Sequence, residues 1–169
     1  MNRALRLALL ALAPVAVSVA SVAAFAAPPA APAQVAYPEG YRTWTHVKSM
    51  WLGPEHGLAN PFAGLHHVYV NATGEKALRA GGPLPDGTVL VFDLMQADVA
   101  DHAIAEGPRK LVGVMQKDSR RWANTGGWGF EGFAGSSKTE RLVTDGGAGC
   151  FGCHQSRAAQ GHVFTEWRQ

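Results

Sequence analysis

Net charge is nearly absent from this sequence. Of 169 residues, 15 are Lys or Arg and 13 are Asp or Glu. Removing Arg3 and Arg6 with the N-terminal leader leaves 13 against 13. A formally neutral mature chain offers no basic surface for nucleic acid or an anionic membrane, so the pI of about 8.7 overstates its basicity. Cysteine is scarce too, with only Cys150 and Cys153. The 20 glycines and 10 prolines punctuate the chain so often that four long amphipathic helices cannot be drawn, which excludes a helical-bundle fold. No internal repeat is visible, and residues 155–169 contain no methionine.

What is present begins with an apolar stretch behind Arg3 and Arg6 that ends in Ala24-Phe25-Ala26. This predicts a secretory signal peptide over residues 1–26, cleaved after Ala26, and hence export to the periplasm. An uncleaved membrane anchor is the rival reading, weakened by Pro14 and the many alanines. Residues 27–36 are rich in Pro and Ala and are expected to form a flexible or polyproline-like linker. The remainder, 37–169, is long enough for one domain with a hydrophobic core and too short for two.

Within that domain Leu65–Asn71, Thr88–Met95 and Arg109–Lys117 read as strands. In the second of these, Leu90, Phe92 and Leu94 fall on one face and Val89, Val91 and Met95 on the other, so both faces are expected to be covered. Tyr41–Leu52 fits either a strand or a short helix. Thr73–Ala80 reads as a short helix with Thr73 as N-cap, Pro83–Gly87 as a turn, and Gln96–Pro108 as a loop. Asp118 is expected to cap a short helix. In Gly126–Phe133, Trp128, Phe130 and Phe133 can pack while the glycines allow close approach. Cys150–Ala159 reads as a further short helix. The pattern predicts an α+β domain with a mainly antiparallel sheet of four or five strands, whose order the sequence does not give.

The two cysteines stand in the run Cys150-Phe-Gly-Cys153-His154. Two thiols at this spacing can add across the two vinyl groups of a single haem, which brings the adjacent imidazole beneath the iron. The motif therefore predicts one haem c, attached through Cys150 and Cys153, with His154 as the proximal metal ligand. Three other readings exist for such a pair. A disulfide is ordinary in an exported protein. A zinc half-site would need further ligands, of which only His162 is near. A redox dithiol belongs at the start of a helix after an early strand rather than close to the C-terminus.

The place of the motif bears on the opposite axial position. Small electron-transfer cytochromes carry it early and take a methionine far downstream as the sixth ligand. Here that ligand would have to come from upstream: Met50, Met95, Met115, His46, His56, His66, His67 or His102. The methionines in predicted strands have an ordinary role as core residues, and the histidines in polar loops as solvated ones. The expectation is five-coordinate iron open to a small ligand such as NO or CO. The alternative is a six-coordinate carrier of electrons.

Several segments, taken in order, resemble the cytochrome P-460 family over nearly all of the mature chain. They are Tyr37-Pro-Glu-Gly-Tyr-Arg-Thr-Trp, His66-His-Val-Tyr-Val, Pro85-Asp-Gly-Thr-Val, Val114-Met-Gln-Lys-Asp-Ser-Arg-Arg-Trp, Gly126-Gly-Trp-Gly-Phe-Glu-Gly-Phe, and Cys150-Phe-Gly-Cys-His with Val163-Phe-Thr. The resemblance implies a β-rich c-type cytochrome, usually a homodimer, of one of two kinds. One kind cross-links a lysine to the haem and oxidises hydroxylamine or nitric oxide. The other, cytochrome c′-beta, lacks the cross-link and binds NO or CO at five-coordinate iron.

The family's cross-linking lysine falls at Phe92 and its distal glutamate at Gly113, so both groups of the oxidising kind are missing. Two phenylalanines cap the distal face in the beta kind, and Phe62 and Phe92 match their positions. His66 falls where the family often has an arginine near the pocket; it could be a distal base, an iron ligand, or a residue satisfied by a polar neighbour. His67 should face the other way. Lys110 and Lys117 are expected to be solvated strand ends. The resemblance thus implies a gas-binding cytochrome with no assigned catalytic residue, a second copy of itself and a periplasmic redox partner as associates. A hydroxylamine- or NO-oxidising enzyme and a six-coordinate electron carrier are the alternatives.

Overall fold

A computed structural model describes residues 33–168; the leader and residues 27–32 of the linker lie outside the described residues. Five strands form one sheet: β1 (Thr45–Leu52), β2 (Gly64–Val70), β3 (Val89–Ala100), β4 (Ala103–Lys117) and β5 (Trp128–Ala134). Their spatial order is their chain order, and each neighbouring pair is antiparallel. A single helical turn, α1 (Ala59–Phe62), leads into β2; α2 (Ala72–Ala80) follows it, and α3 (Ala148–His154) comes after the sheet. The α+β class read from the sequence is the observed one. Among the described residues no helix is long and apolar enough to cross a membrane.

Both faces of the sheet are covered. On one, Val91, Val112, Val114 and Phe133 pack with Val35, Tyr41 and Trp122. On the other, Val70, Leu90, Trp128 and Phe130 pack with Leu78 of α2 and with Val163. The period of two explains why Phe133 leaves the company of Trp128 and Phe130. Val35 corrects the expected extent of the linker: it is 3% exposed, and its carbonyl accepts from Arg141. An aliphatic side chain beside Trp122 gains more from burial than the Ala-Pro stretch before it could.

Three local expectations change. Tyr41–Leu52 resolves into a 3-10 turn (Tyr41–Thr43) and β1. The N-cap of α2 is Asn71 rather than Thr73: its side chain accepts from the Gly74 amide at 3.1 Å and also from Val89, tying the helix start to β3. The segment Gln96–Pro108 is not a loop but the outer end of the β3–β4 hairpin. Asp101 and His102, at φ 50° and 64°, form a two-residue turn of the kind that matches strand twist. That end stands largely in solvent, so it carries no apolar alternation to betray it. Asp118 caps a turn, accepting from the amides of Arg120 and Arg121.

Candidate haem site

The Cys150-Phe-Gly-Cys153-His154 run makes up most of α3, and the residues before it explain why a helix starts there. Gly146 and Gly147 adopt φ 69° and 90°, the left-handed region that glycine enters without penalty. A Cβ on Gly147 would meet Phe130 of β5 at 3.1 Å, so glycine also permits the close approach to the sheet. The Asp145 carboxylate accepts from the amides of Gly147 at 2.9 Å and Gly149 at 2.7 Å. These bonds hold it below the usual carboxylate range.

Cys150 is half-buried and Cys153 exposed, and both are free thiols. Three positions apart on a helix, they are neighbours on one side. Burial, and secondarily the charge of Asp145, pushes the Cys150 thiol up. A redox dithiol needs the opposite shift. Among the described residues no three His, Cys, Asp or Glu side chains converge to hold a metal, so the zinc half-site has no completion. His162 instead packs its ring against Phe151, 5.2 Å between centroids.

What His162 contributes is its backbone. The His154 Nδ1–H donates to the His162 carbonyl at 2.7 Å, which leaves Nε2 as the nitrogen with the free lone pair. Burial lowers the His154 pKa, opposed by that bond, so the ring is held neutral. It sits between Phe130, 5.0 Å away, and Phe164, 5.1 Å away. The carbonyl is presented by a kinked segment: His162 has φ 65°, its amide donates to the Arg157 carbonyl, and the preceding Gly161 carbonyl accepts from the Trp128 indole at 2.9 Å. Trp128 is the core residue the sequence suggests, but its link to Gly161 and the role of the His162 carbonyl are not visible there. A tryptophan destined for the core, whose N–H must find an acceptor, was the available signal.

On the same face of the sheet, register places Val68, Phe92, Gly113 and Gly132 in one row across β2 to β5. The next row contains Val70, Leu90, Met115 and the Phe130 that touches His154. Successive rows on one face are about 7 Å apart. The Phe92 ring stacks on His66, centroids 5.5 Å apart and planes 14° from parallel. It meets Phe62 edge-on at 6.1 Å. It also lies across Gly113, where any Cβ would overlap the ring. Phe62, Phe92, His66 and Gly113, found separately in the sequence, are one cluster.

His66 is 6% exposed, and its Nε2 donates to the Phe62 carbonyl at 2.6 Å. Lys110 is exposed, as expected, yet its Nζ donates to the carbonyls of Pro61 at 2.9 Å and Ala63 at 2.7 Å. Lys117 is likewise engaged, donating to the Gly126 carbonyl at 2.8 Å beside the Trp128 ring. Two carbonyls at a sharp turn, and one at a glycine pair, accept from these ammonium groups in charge-assisted bonds. Register puts Met50 and Met115 on the face of Phe92, and His46, His67 and Met95 on the other. His67 binds Ser49 there at 2.7 Å, while His56 and His102 sit in the loop after β1 and the hairpin tip.

A family model, Cytochrome P460, matches residues 38–165 of this chain. The chain belongs to the cytochrome P460 family. No curated protein matches it.

Haem is the cofactor that membership in the cytochrome P460 family implies, and the residues fit it. Two adjacent thiols and an imidazole with its Nδ1 already engaged form a suitable donor set. Beside them stands an exposed apolar side chain that a porphyrin would cover, Phe164, 48% exposed, against His154. On the same face of the sheet as Phe130, the Phe92 ring packs directly over Gly113.

Proposed function

We propose that this cytochrome P460 is a periplasmic gas-binding cytochrome of the c′-beta type, without a lysine cross-link. Cys150 and Cys153 would carry one haem through thioether bonds, and His154 would ligate its iron through Nε2. Haem held in this way supplies one open iron position for a small neutral diatomic such as NO or CO.

The chain's own residues do the rest. The Nδ1–H bond to the His162 carbonyl fixes the His154 tautomer and raises its basicity as a ligand. Phe62 and Phe92 form an apolar cap that excludes water. The nearest polar side chain, His66, has its Nε2–H committed to the Phe62 carbonyl, so the cap presents no ready donor to a polar or charged adduct. The leader supports export, and the family resemblance supports a homodimer and a periplasmic redox partner.

One observation carries this reading: Phe92 lies on Gly113. Oxidation of hydroxylamine requires a proton acceptor, and a carboxylate at 113 has no room while Phe92 keeps its place. That both ammonium groups of Lys110 and Lys117 are bound to carbonyls speaks against either replacing the missing cross-link. Titrating ferrous holoprotein with NO and CO, and assaying the same preparation for hydroxylamine oxidation with an artificial electron acceptor, tests the proposal. Saturable gas binding without turnover supports it; sustained hydroxylamine turnover overturns it.

A further inference from the structure

We infer that His66 is a positioning residue that sets the aperture of the aromatic cap, holding Phe62 by its backbone and Phe92 by its ring. The inference rests on the gas-binding reading of the site and adds a role for a side chain that contacts neither the cysteines nor His154 among its named partners.

The two contacts of His66 act on different elements. Its Nε2–H bonds the Phe62 carbonyl, at the end of the turn α1, while its ring lies flat on Phe92 of β3. Phe62 and Phe92 meet edge-on, a contact of modest strength to which His66 adds one hold on each. Phe92 lies on Gly113 on one side and against His66 on another, and meets Phe62 at its edge. The turn bearing Phe62 is exposed or half-exposed and has only a few backbone hydrogen bonds of its own. It is pinned at three successive carbonyls, those of Pro61 and Ala63 by Lys110 and that of Phe62 by His66.

The two donors are not equivalent. Lys110 fixes the path of the turn from its exposed side. His66 also couples that path to the Phe92 ring, beyond the edge contact between Phe62 and Phe92. Losing the imidazole frees both halves of the cap together. Losing Lys110 loosens only the Phe62 half.

The chemistry of an imidazole suits this task. It offers a flat ring for stacking and an in-plane donor at its edge, so one residue can serve two elements at right angles. Phenylalanine at 66 would keep the stack and lose the donor; glutamine would keep a donor and lose the ring.

The test uses holoprotein of the wild type and the variants His66→Phe, His66→Gln, His66→Ala, Lys110→Met and Phe92→Ala. CO association after flash photolysis gives the aperture. NMR of the diamagnetic ferrous CO complex gives the cap's order, through the exchange-protected Nε2–H of His66 and the flip rate of the Phe92 ring. Removal of one hydrogen bond to a carbonyl corresponds to about a three- to tenfold change. CO association in His66→Phe should rise by that factor with the Phe92 flip rate nearly unchanged. His66→Gln should keep the Phe62 half and speed Phe92 flipping, and His66→Ala should show both effects. Lys110→Met should raise CO association with Phe92 flipping unaltered.

Unchanged CO association in His66→Phe and His66→Ala, with Phe92→Ala clearly faster, overturns the role of His66 while the gas-binding reading stands. If Phe92→Ala also leaves the rate unchanged, the cap itself is wrong. Should His66→Ala fail to fold, His66→Phe and His66→Gln carry the test.

Discussion

The imidazole of His66 lies 14° from parallel to the ring of Phe92, at 5.5 Å between centroids, and donates from its edge to the Phe62 carbonyl. A histidine in this setting is most stable neutral. Burial lowers its pKa from the ordinary 6.5, with the charges of Lys110, His67 and Lys48 adding to the effect and the Phe62 carbonyl opposing it.

That direction fixes a pH dependence. As pH falls below 6.5, an unfolded chain takes up a proton at residue 66 that the folded chain refuses, so folding stability declines with acid until the lowered folded-state value is passed. Urea unfolding of holoprotein between neutral pH and about pH 5 should show a falling midpoint. The decline should be smaller in His66→Phe. An equal decline in both proteins would assign it to other groups.

Gly113 and Phe92 should behave as one unit. Gly113→Ala alone pushes a methyl into the Phe92 ring, an overpacking that costs about 1–3 kcal/mol. In a Phe92→Ala background the same change should cost far less, because the ring is gone. A double-mutant cycle on urea midpoints reads the coupling directly, and additive effects would show that the ring moves aside freely.

Across the sheet, the buried carboxylate of Asp93 is 1% exposed. It is held by Arg109 through Nε at 2.6 Å and Nη2 at 3.1 Å, and by the Tyr41 hydroxyl at 2.7 Å. Arg109→Ala removes the partner that makes two of these bonds and leaves the carboxylate with Tyr41 and with Arg42 at 3.4 Å, so the change should destabilise the fold by about 1.5–3 kcal/mol. Since Asp93 faces away from Phe92 on the same strand, the absorption spectrum of the folded variant should not change.

Trp128 should matter on the His154 side. Trp128→Phe keeps the aromatic core but leaves the Gly161 carbonyl without its indole partner, at a cost of about 1 kcal/mol. The variant should also perturb the iron–imidazole vibration of the ferrous holoprotein, because Gly161 precedes the carbonyl that orients His154. A vibration identical to wild type would show that the kink at His162 holds without Trp128.

The site was legible in the sequence where its parts are local. Cys150, Cys153 and His154 declare themselves by spacing, and the alternation of β3 put Phe92 on a defined face. What could not be read depends on register. That Phe92 stands opposite Gly113, and that His66 reaches back to Phe62, follows from the pairing of β2, β3 and β4 and from the path of a turn, none of which is encoded in adjacent residues. The β3–β4 hairpin end was missed for a different reason. It buries almost nothing, and a strand in solvent on both faces has no pattern to show. The bonds made by the exposed Lys110 could not be read because its acceptors, the carbonyls of Pro61 and Ala63, lie far away in sequence.

The account stands most directly on the ferrous absorption spectrum of purified holoprotein, recorded before and after NO. Five-coordinate iron behind an apolar cap predicts a spectrum without sharp α and β bands that changes on addition of NO. Sharp low-spin bands indifferent to NO would contradict it, and would return the chain to the role of an electron carrier with a sixth ligand from Met50, Met115 or another upstream residue.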